Sequence, residues 1–143
     1  MPPEVEKNPT FTVVAAALAD EAGRILLQRR AAGRAMAGLW EFPGGKVEPD
    51  ERPEAALVRE LAEELGIEVA AEDLAPAAFA SAENAGRHML LLLYLCRRWR
   101  GTPRALDAAA LAWLPPDEME PANMPPADAP LIPALARLLA ASG

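Results

Sequence analysis

At 143 residues the chain is long enough for one domain with a substantial core and short for two. An apolar content of 52% excludes a purely solvated polypeptide, and a net charge of −7 argues against a protein that wraps nucleic-acid backbone through a basic footprint. The charge is also unevenly placed. Residues 41–73 hold eleven acids and three bases, a net −8, while the other 110 residues hold ten acids and eleven bases, a net +1.

The single cysteine, Cys96, has no internal disulfide partner, and the leading MPPEVEKNPT lacks the basic-then-apolar pattern of a secretion signal. Both point to a cytoplasmic setting. The longest apolar run, Met89 to Cys96, is eight residues, far short of a membrane span. The expected organisation is a single domain over 1–143 with a flexible N-terminus at 1–9.

In chain order, the apolar 10–19 reads as a strand, Asp20-Glu21-Ala22-Gly23 as a turn, and 24–29 as a second strand, so the pair resembles a hairpin. Residues 31–38 are rich in Ala and Gly and read as loop. Residues 39–42 form a short strand stopped by Pro43-Gly44-Gly45. The spacing of Leu57, Leu61 and Leu65 predicts a helix over 53–65, with Pro53 in its first turn, Gly66 as its C-cap, and Arg52 a poor N-cap. Residues 77–82 give a weak strand signal and 89–99 a strong one, apolar enough to be central and covered on both faces. A short strand over 110–114, a helical turn from Pro115 and a final amphipathic helix over 129–141 complete an α/β layered domain.

The helix over 53–65 separates two functions by face. At about 100° per residue, with Leu57 at zero, Leu61, Leu65 and Val58 fall between roughly 40° and 100°, and Glu63, Glu60 and Glu64 between roughly 240° and 340°. Like charges three and four residues apart repel, and Arg59 is the only base in the helix. Such a face either holds a hard divalent cation or is simply solvated, and spacing alone does not choose between them.

The wider pattern does choose. Gly45, five residues, Glu51, seven residues, Arg59-Glu60-Leu61, one residue, Glu63-Glu64, one residue, Gly66-Ile67 resembles the Nudix box, with seven fixed identities and both apolar positions matched over 23 residues. Residues 26–30, 38–46 and 125–132 extend the likeness to the MutT-like group of that family, over about residues 11–139.

The resemblance implies an α/β Nudix fold, a mixed β-sheet sandwiched between helices. It also implies hydrolysis of nucleoside triphosphates, oxidised or modified ones such as 8-oxo-dGTP included, to the monophosphate and pyrophosphate. Its cofactor would be Mg²⁺, with Mn²⁺ as a substitute. Glu60, Glu63 and Glu64 would ligate the metal with the Gly44 carbonyl, and Glu60 or a neighbouring carboxylate would activate water. Arg59 would orient the glutamates, and Glu51 would contact Arg59 or metal-bound water. Asp107 stands where the group more often has glutamate beyond the box, one methylene longer.

For the substrate, the resemblance nominates Arg30 and Phe42 at the base, Gly45 and Lys46 near phosphate, and Arg87 at base or phosphate, with Phe42 equally readable as core. Asp128 ends a Pro-Pro-Ala-Asp stretch where 8-oxo-guanine-specific members carry Asn, and Pro121-Ala122-Asn123 is a nearby decoy. An ionised Asp only accepts hydrogen bonds, which suits an exocyclic amino group and a CTP or modified-dCTP pyrophosphohydrolase; a helix N-cap is the other reading of Asp128. His88, Cys96, Trp40, Trp99 and Trp113 read as structural residues. An ADP-ribose or nucleotide-sugar pyrophosphatase and a non-catalytic nucleotide-binding module are the remaining alternatives. The expected partner is the nucleotide alone, with no nucleic-acid polymer and no membrane, on a monomer or weak homodimer.

Overall fold

The structure is a computed structural model and describes residues 10–142; the expectation for 1–9 lies outside them. Seven strands and two helices follow one another as β1 (Thr10–Leu18), β2 (Ile25–Arg29), β3 (Trp40–Glu41), β4 (Gly44–Lys46), α1 (Pro53–Leu65), β5 (Leu74–Asn84), β6 (Arg87–Cys96), β7 (Ala110–Leu114) and α2 (Leu131–Ser142). Short 3₁₀ turns occupy Ala71–Asp73, Pro116–Glu118 and Pro121–Asn123. The strands form a four-stranded mixed sheet, β4-β1-β6-β5, and a three-stranded antiparallel sheet, β3-β2-β7.

The centre of the larger sheet follows from alternation. β1 and β6 pair in parallel with Val13 opposite Leu91 and Ala15 opposite Leu93. Ala15, Ala17, Leu91, Leu93 and Leu95 point to one face and join Leu131, Ile132 and Leu135 of α2 in one core. Val14, Ala16, Leu18, Tyr94 and Cys96 point to the other and join Leu57, Leu61 and Leu65 of α1. The period of two thus serves both faces, as expected of a covered central strand.

Three expectations change. β1 and β2 do not form a hairpin: a lone bridge joins Ala19 to Ile25, and the strands then enter different sheets. The edge of β1 to which the Asp20–Arg24 turn points is taken instead by β4 and by Pro43, whose carbonyl accepts from the Ala16 amide at 2.9 Å. Gly44–Lys46 is a strand, antiparallel to β1, rather than loop. The reason is close approach, because a Cβ on Gly44 would overlap the Val14 carbonyl. β5 is longer than its weak apolar signal, with a register shift between Pro76 and Ala78, and β6 runs from Arg87 to Cys96 instead of 89–99. Its partner β1 ends at Leu18, so Trp99 leaves the sheet and stacks on Trp113 at 6.1 Å.

Helix α1 has the predicted bounds. Pro53 lies in its first turn, Arg52 makes no side-chain cap, and Gly66 closes the helix in the left-handed region at φ 70°. Among the described residues, no helix is long and apolar enough to cross a membrane.

Candidate active site

The box residues lie where α1 meets β4. Gly45 faces Glu60 so closely that a Cβ would overlap the Glu60 carboxylate. Any side chain at position 45 would therefore have to displace the Glu60 carboxylate. The preceding turn is tied by Glu51, whose Oε1 accepts from the Glu48 amide at 3.0 Å. Both Glu51 oxygens also receive Arg59, from Nε and Nη2 at 2.9 Å each. This fork holds the Glu51 carboxyl down at about 2. Arg59 Nη1 then donates to Glu60 Oε2 at 3.1 Å. Arg59 thus contacts both Glu51 and Glu60.

The three helix carboxylates do not behave alike. Glu64 is only 8% exposed and shares a hydrogen bond with Glu60. Burial, then that hydrogen bond, raises the Glu64 carboxyl well above the usual carboxylate range. Glu63 is 59% exposed in its side chain and turns toward Arg59 Nη1 at 3.6 Å. Among the described residues, no three acidic side chains converge as a ready cluster; the structure pairs Glu60 with Glu64 and leaves Glu63 at the mouth.

A divalent ion nevertheless fits the donor set. The Glu60, Glu63 and Glu64 carboxylates and Gly44 line one cleft, and carboxylate and carbonyl oxygens are the donors a hard cation takes. A cleft of about 550 Å³ brings Glu60, Glu63 and Glu64 together with Gly44, Gly45, Lys46 and Asp107. Asp107 lines this cleft as well, in an ion pair at 2.7 Å with Arg34, another of its lining residues.

A second cleft, of about 420 Å³, adjoins the first and shares with it Arg30, Glu41, Gly44, Gly45 and Lys46. Its walls include Met36, Phe42, Met89, Leu91 and the segment 125–128. Phe42 is at once core and cleft wall. Asp128, 8% exposed, receives the Phe42 amide on Oδ2 at 3.1 Å. Its side chain is therefore engaged across the cleft with β3's flank. Burial pushes the Asp128 carboxyl up to about 7, against the lowering effect of the Phe42 amide. The decoy Asn123 is exposed in a 3₁₀ turn and does not line the cleft. Arg87 does not line either cleft; its guanidinium lies 4.3 Å from the Phe11 ring centroid, and Phe11 itself is a cleft wall. His88 is exposed on β6, and Cys96 is fully buried.

Two polar residues in this region have no counterpart in the sequence reading. Glu41 accepts from Arg30 Nη1 at 2.9 Å, and burial raises its carboxyl against that neighbour's charge. Gln28, 4% exposed on β2, donates from Nε2 to Glu64 Oε1 at 2.7 Å and to Glu41 Oε2 at 3.4 Å. A polar residue following the apolar run Ile25–Leu27 was the available signal.

Residues 9–135 match the model of the NUDIX domain. The CTP pyrophosphohydrolase of Escherichia coli K12 is 44% identical over 128 residues, covering 90% of this chain and 93% of that protein. The 8-oxo-dGTP diphosphatase of the same organism is 38% identical over 124 residues, covering 83% and 91%. The solution structure of the E. coli ORF135 protein superposes with a TM-score of 0.82 at 41% identity, over 97% of each chain.

Proposed function

The chain belongs to the Nudix family as a MutT-like hydrolase, and from that premise we propose that it is a Mg²⁺-dependent nucleoside triphosphate pyrophosphohydrolase. It cleaves (d)NTPs, oxidised or modified ones such as 8-oxo-dGTP among them, to the monophosphate and pyrophosphate. The observation that carries this reading is the buried Glu64 beside the half-buried Glu60, braced by Arg59 and Glu51, in the same cleft as Arg30 and Lys46.

Family members generally require a divalent metal. Here Glu60, Glu64 and the Gly44 carbonyl would hold it, with Glu63 and Asp107 at the mouth. The ion supplies charge neutralisation of the triphosphate and a lowered pKa for attacking water. The chain's own residues do the placing. Arg59 fixes the Glu60 carboxylate, Gly45 lets the backbone approach the phosphates, and Lys46, on the shared rim, offers them a cation. Phe42 and the apolar wall receive the base, and Arg30, held by Glu41, borders it. Arg87 acts at this end through Phe11. The protein works as one catalytic domain, monomeric or weakly dimeric, in the cytoplasm, with Mn²⁺ able to replace Mg²⁺.

A second reading of the substrate rests on Asp128. Where ionised, its carboxylate accepts but does not donate, which favours an exocyclic amino group such as that of cytosine. The name of the 44%-identical relative is in keeping with this. Pyrophosphate release should be measured with Mg²⁺ over 8-oxo-dGTP, dCTP, 5-methyl-dCTP and dATP. Turnover of at least one is the expected result, and the ranking decides between the readings. Absence of pyrophosphate from all four overturns the proposal.

A further inference from the structure

On β2, side chains alternate between the two cores: Ile25 and Leu27 pack with α2, while Leu26 packs with α1. Gln28 is the next residue on the α1 side. It is buried as deeply as its apolar neighbours. An amide there carries a desolvation cost that Leu or Met would avoid. Packing alone therefore gives no reason for Gln28.

Its hydrogen bonds do. Nε2 carries two hydrogens and meets two carboxylates, Glu64 at 2.7 Å and Glu41 at 3.4 Å, while Oε1 is buried without a partner. The reversed amide would turn an oxygen toward both acids, so the electrostatics select this orientation. The donor occupies Glu64 Oε1 and so restricts rotation of that carboxylate from the β2 side. Through Glu41 it also reaches the ion pair with Arg30 at 2.9 Å.

We propose that Gln28 is a positioning residue that locks the Glu64 carboxylate for cation binding. The inference rests on the metal assignment made above for Glu60 and Glu64. A second hydrogen-bonded partner commonly orients a ligand and strengthens its site.

The test is titration of the protein with Mn²⁺ alone, followed by electron paramagnetic resonance, in wild type, Gln28→Met and Gln28→Asn. Met keeps the volume and removes the donor; Asn keeps the amide and shortens its reach. Mn²⁺ Kd should rise roughly tenfold in Gln28→Met and by less in Gln28→Asn. With CTP as substrate, kcat should fall while KM stays within about twofold, as for loss of an interaction made at the reacting centre. In the background of Glu64→Gln, Gln28→Met should weaken Mn²⁺ binding no further, because the two act as one unit. A merely structural role would lower the melting temperature and leave Mn²⁺ affinity unmoved. Unchanged affinity in a folded Gln28→Met, or in Gln28→Asn where the Met variant does not fold, overturns the inference. Failure of wild type itself to bind Mn²⁺ saturably overturns the metal assignment instead.

Discussion

Replacing Asp128 by Asn removes a charge while keeping the shape, and the structure fixes the sign and size of the effect. The Asp128 carboxyl is pushed up to about 7 from an ordinary 3.8, chiefly by burial. A raised acid favours the folded chain in its protonated form. Its contribution is complete below the unfolded value and is lost as pH climbs toward and through 7. About three units correspond to a ceiling of ~4 kcal/mol, and between pH 5 and pH 8 wild type should lose roughly 2–3 kcal/mol relative to Asp128→Asn. Urea unfolding of both proteins at several pH values, with equal m-values, measures the gap. Chemistry should follow the same titration. The neutral acid donates and accepts like an amide, whereas the carboxylate only accepts. Wild-type preference for dCTP over 8-oxo-dGTP should therefore rise with pH through 7, and that of Asp128→Asn should stay flat. Parallel stability curves, or equal pH dependence of the ranking, refute the buried-acid argument.

Other perturbations probe the acidic site and its support. Glu64→Gln should abolish nearly all turnover and weaken Mn²⁺ binding without abolishing it, while changing metal-free stability by no more than about 1 kcal/mol, since burial already disfavours the charged form of Glu64; substantial residual activity would remove Glu64 from the site. Glu51 is depressed to about 2, so its pairing with Arg59 contributes above about 4.5 and is lost as pH falls toward 2. The melting temperature should accordingly drop less steeply in acid for Glu51→Gln than for wild type. Gly45→Ala places a methyl against the Glu60 carboxylate and should lower kcat at least roughly tenfold, which steady-state kinetics reads directly. Leu61→Ala, at a fully buried position, should cost ~2–5 kcal/mol in chemical denaturation without altering KM.

How much of this was readable beforehand depends on whether local spacing or distant pairing decides. Helix α1 was legible to the residue, because Leu57, Leu61, Leu65, Pro53 and Gly66 are all local signals. The fate of β1 and β2 was not. Their turn suggests a hairpin, and only the pairing of β1 with β4 and of β2 with β3 and β7 separates them. Gly44–Lys46 likewise reads as a break until Val14 lies against it. Within the site, the helical wheel already set Glu64 roughly 20° from Leu57, so its burial was available in the sequence. Its partner Gln28, 36 residues away, was not, since only the fold brings β2 to α1. The likeness of the box nominated Glu60, Glu63 and Glu64 together; it did not show that Glu63 stands apart from the other two.

The acidic segment looks different once partners are assigned. Of its eleven acids, Glu51 is spent on Arg59, Glu54 meets the Tyr94 hydroxyl at 3.2 Å, and Glu41 is paired with Arg30. The charge left facing the clefts is chiefly the Glu60–Glu64 pair, with Glu63 beside it. In the proposed binding mode a triphosphate would meet Lys46 and Arg30 on the shared rim and repulsion from those glutamates. That repulsion is local, since Glu64 is buried and Glu60 half-buried and such groups are screened less by salt than exposed ones. The proposed cation at that point would reverse it, whereas added basic residues on the surface would not. An acidic protein can accordingly serve a polyanion without a basic surface, provided its excess charge is gathered where one divalent ion reaches it.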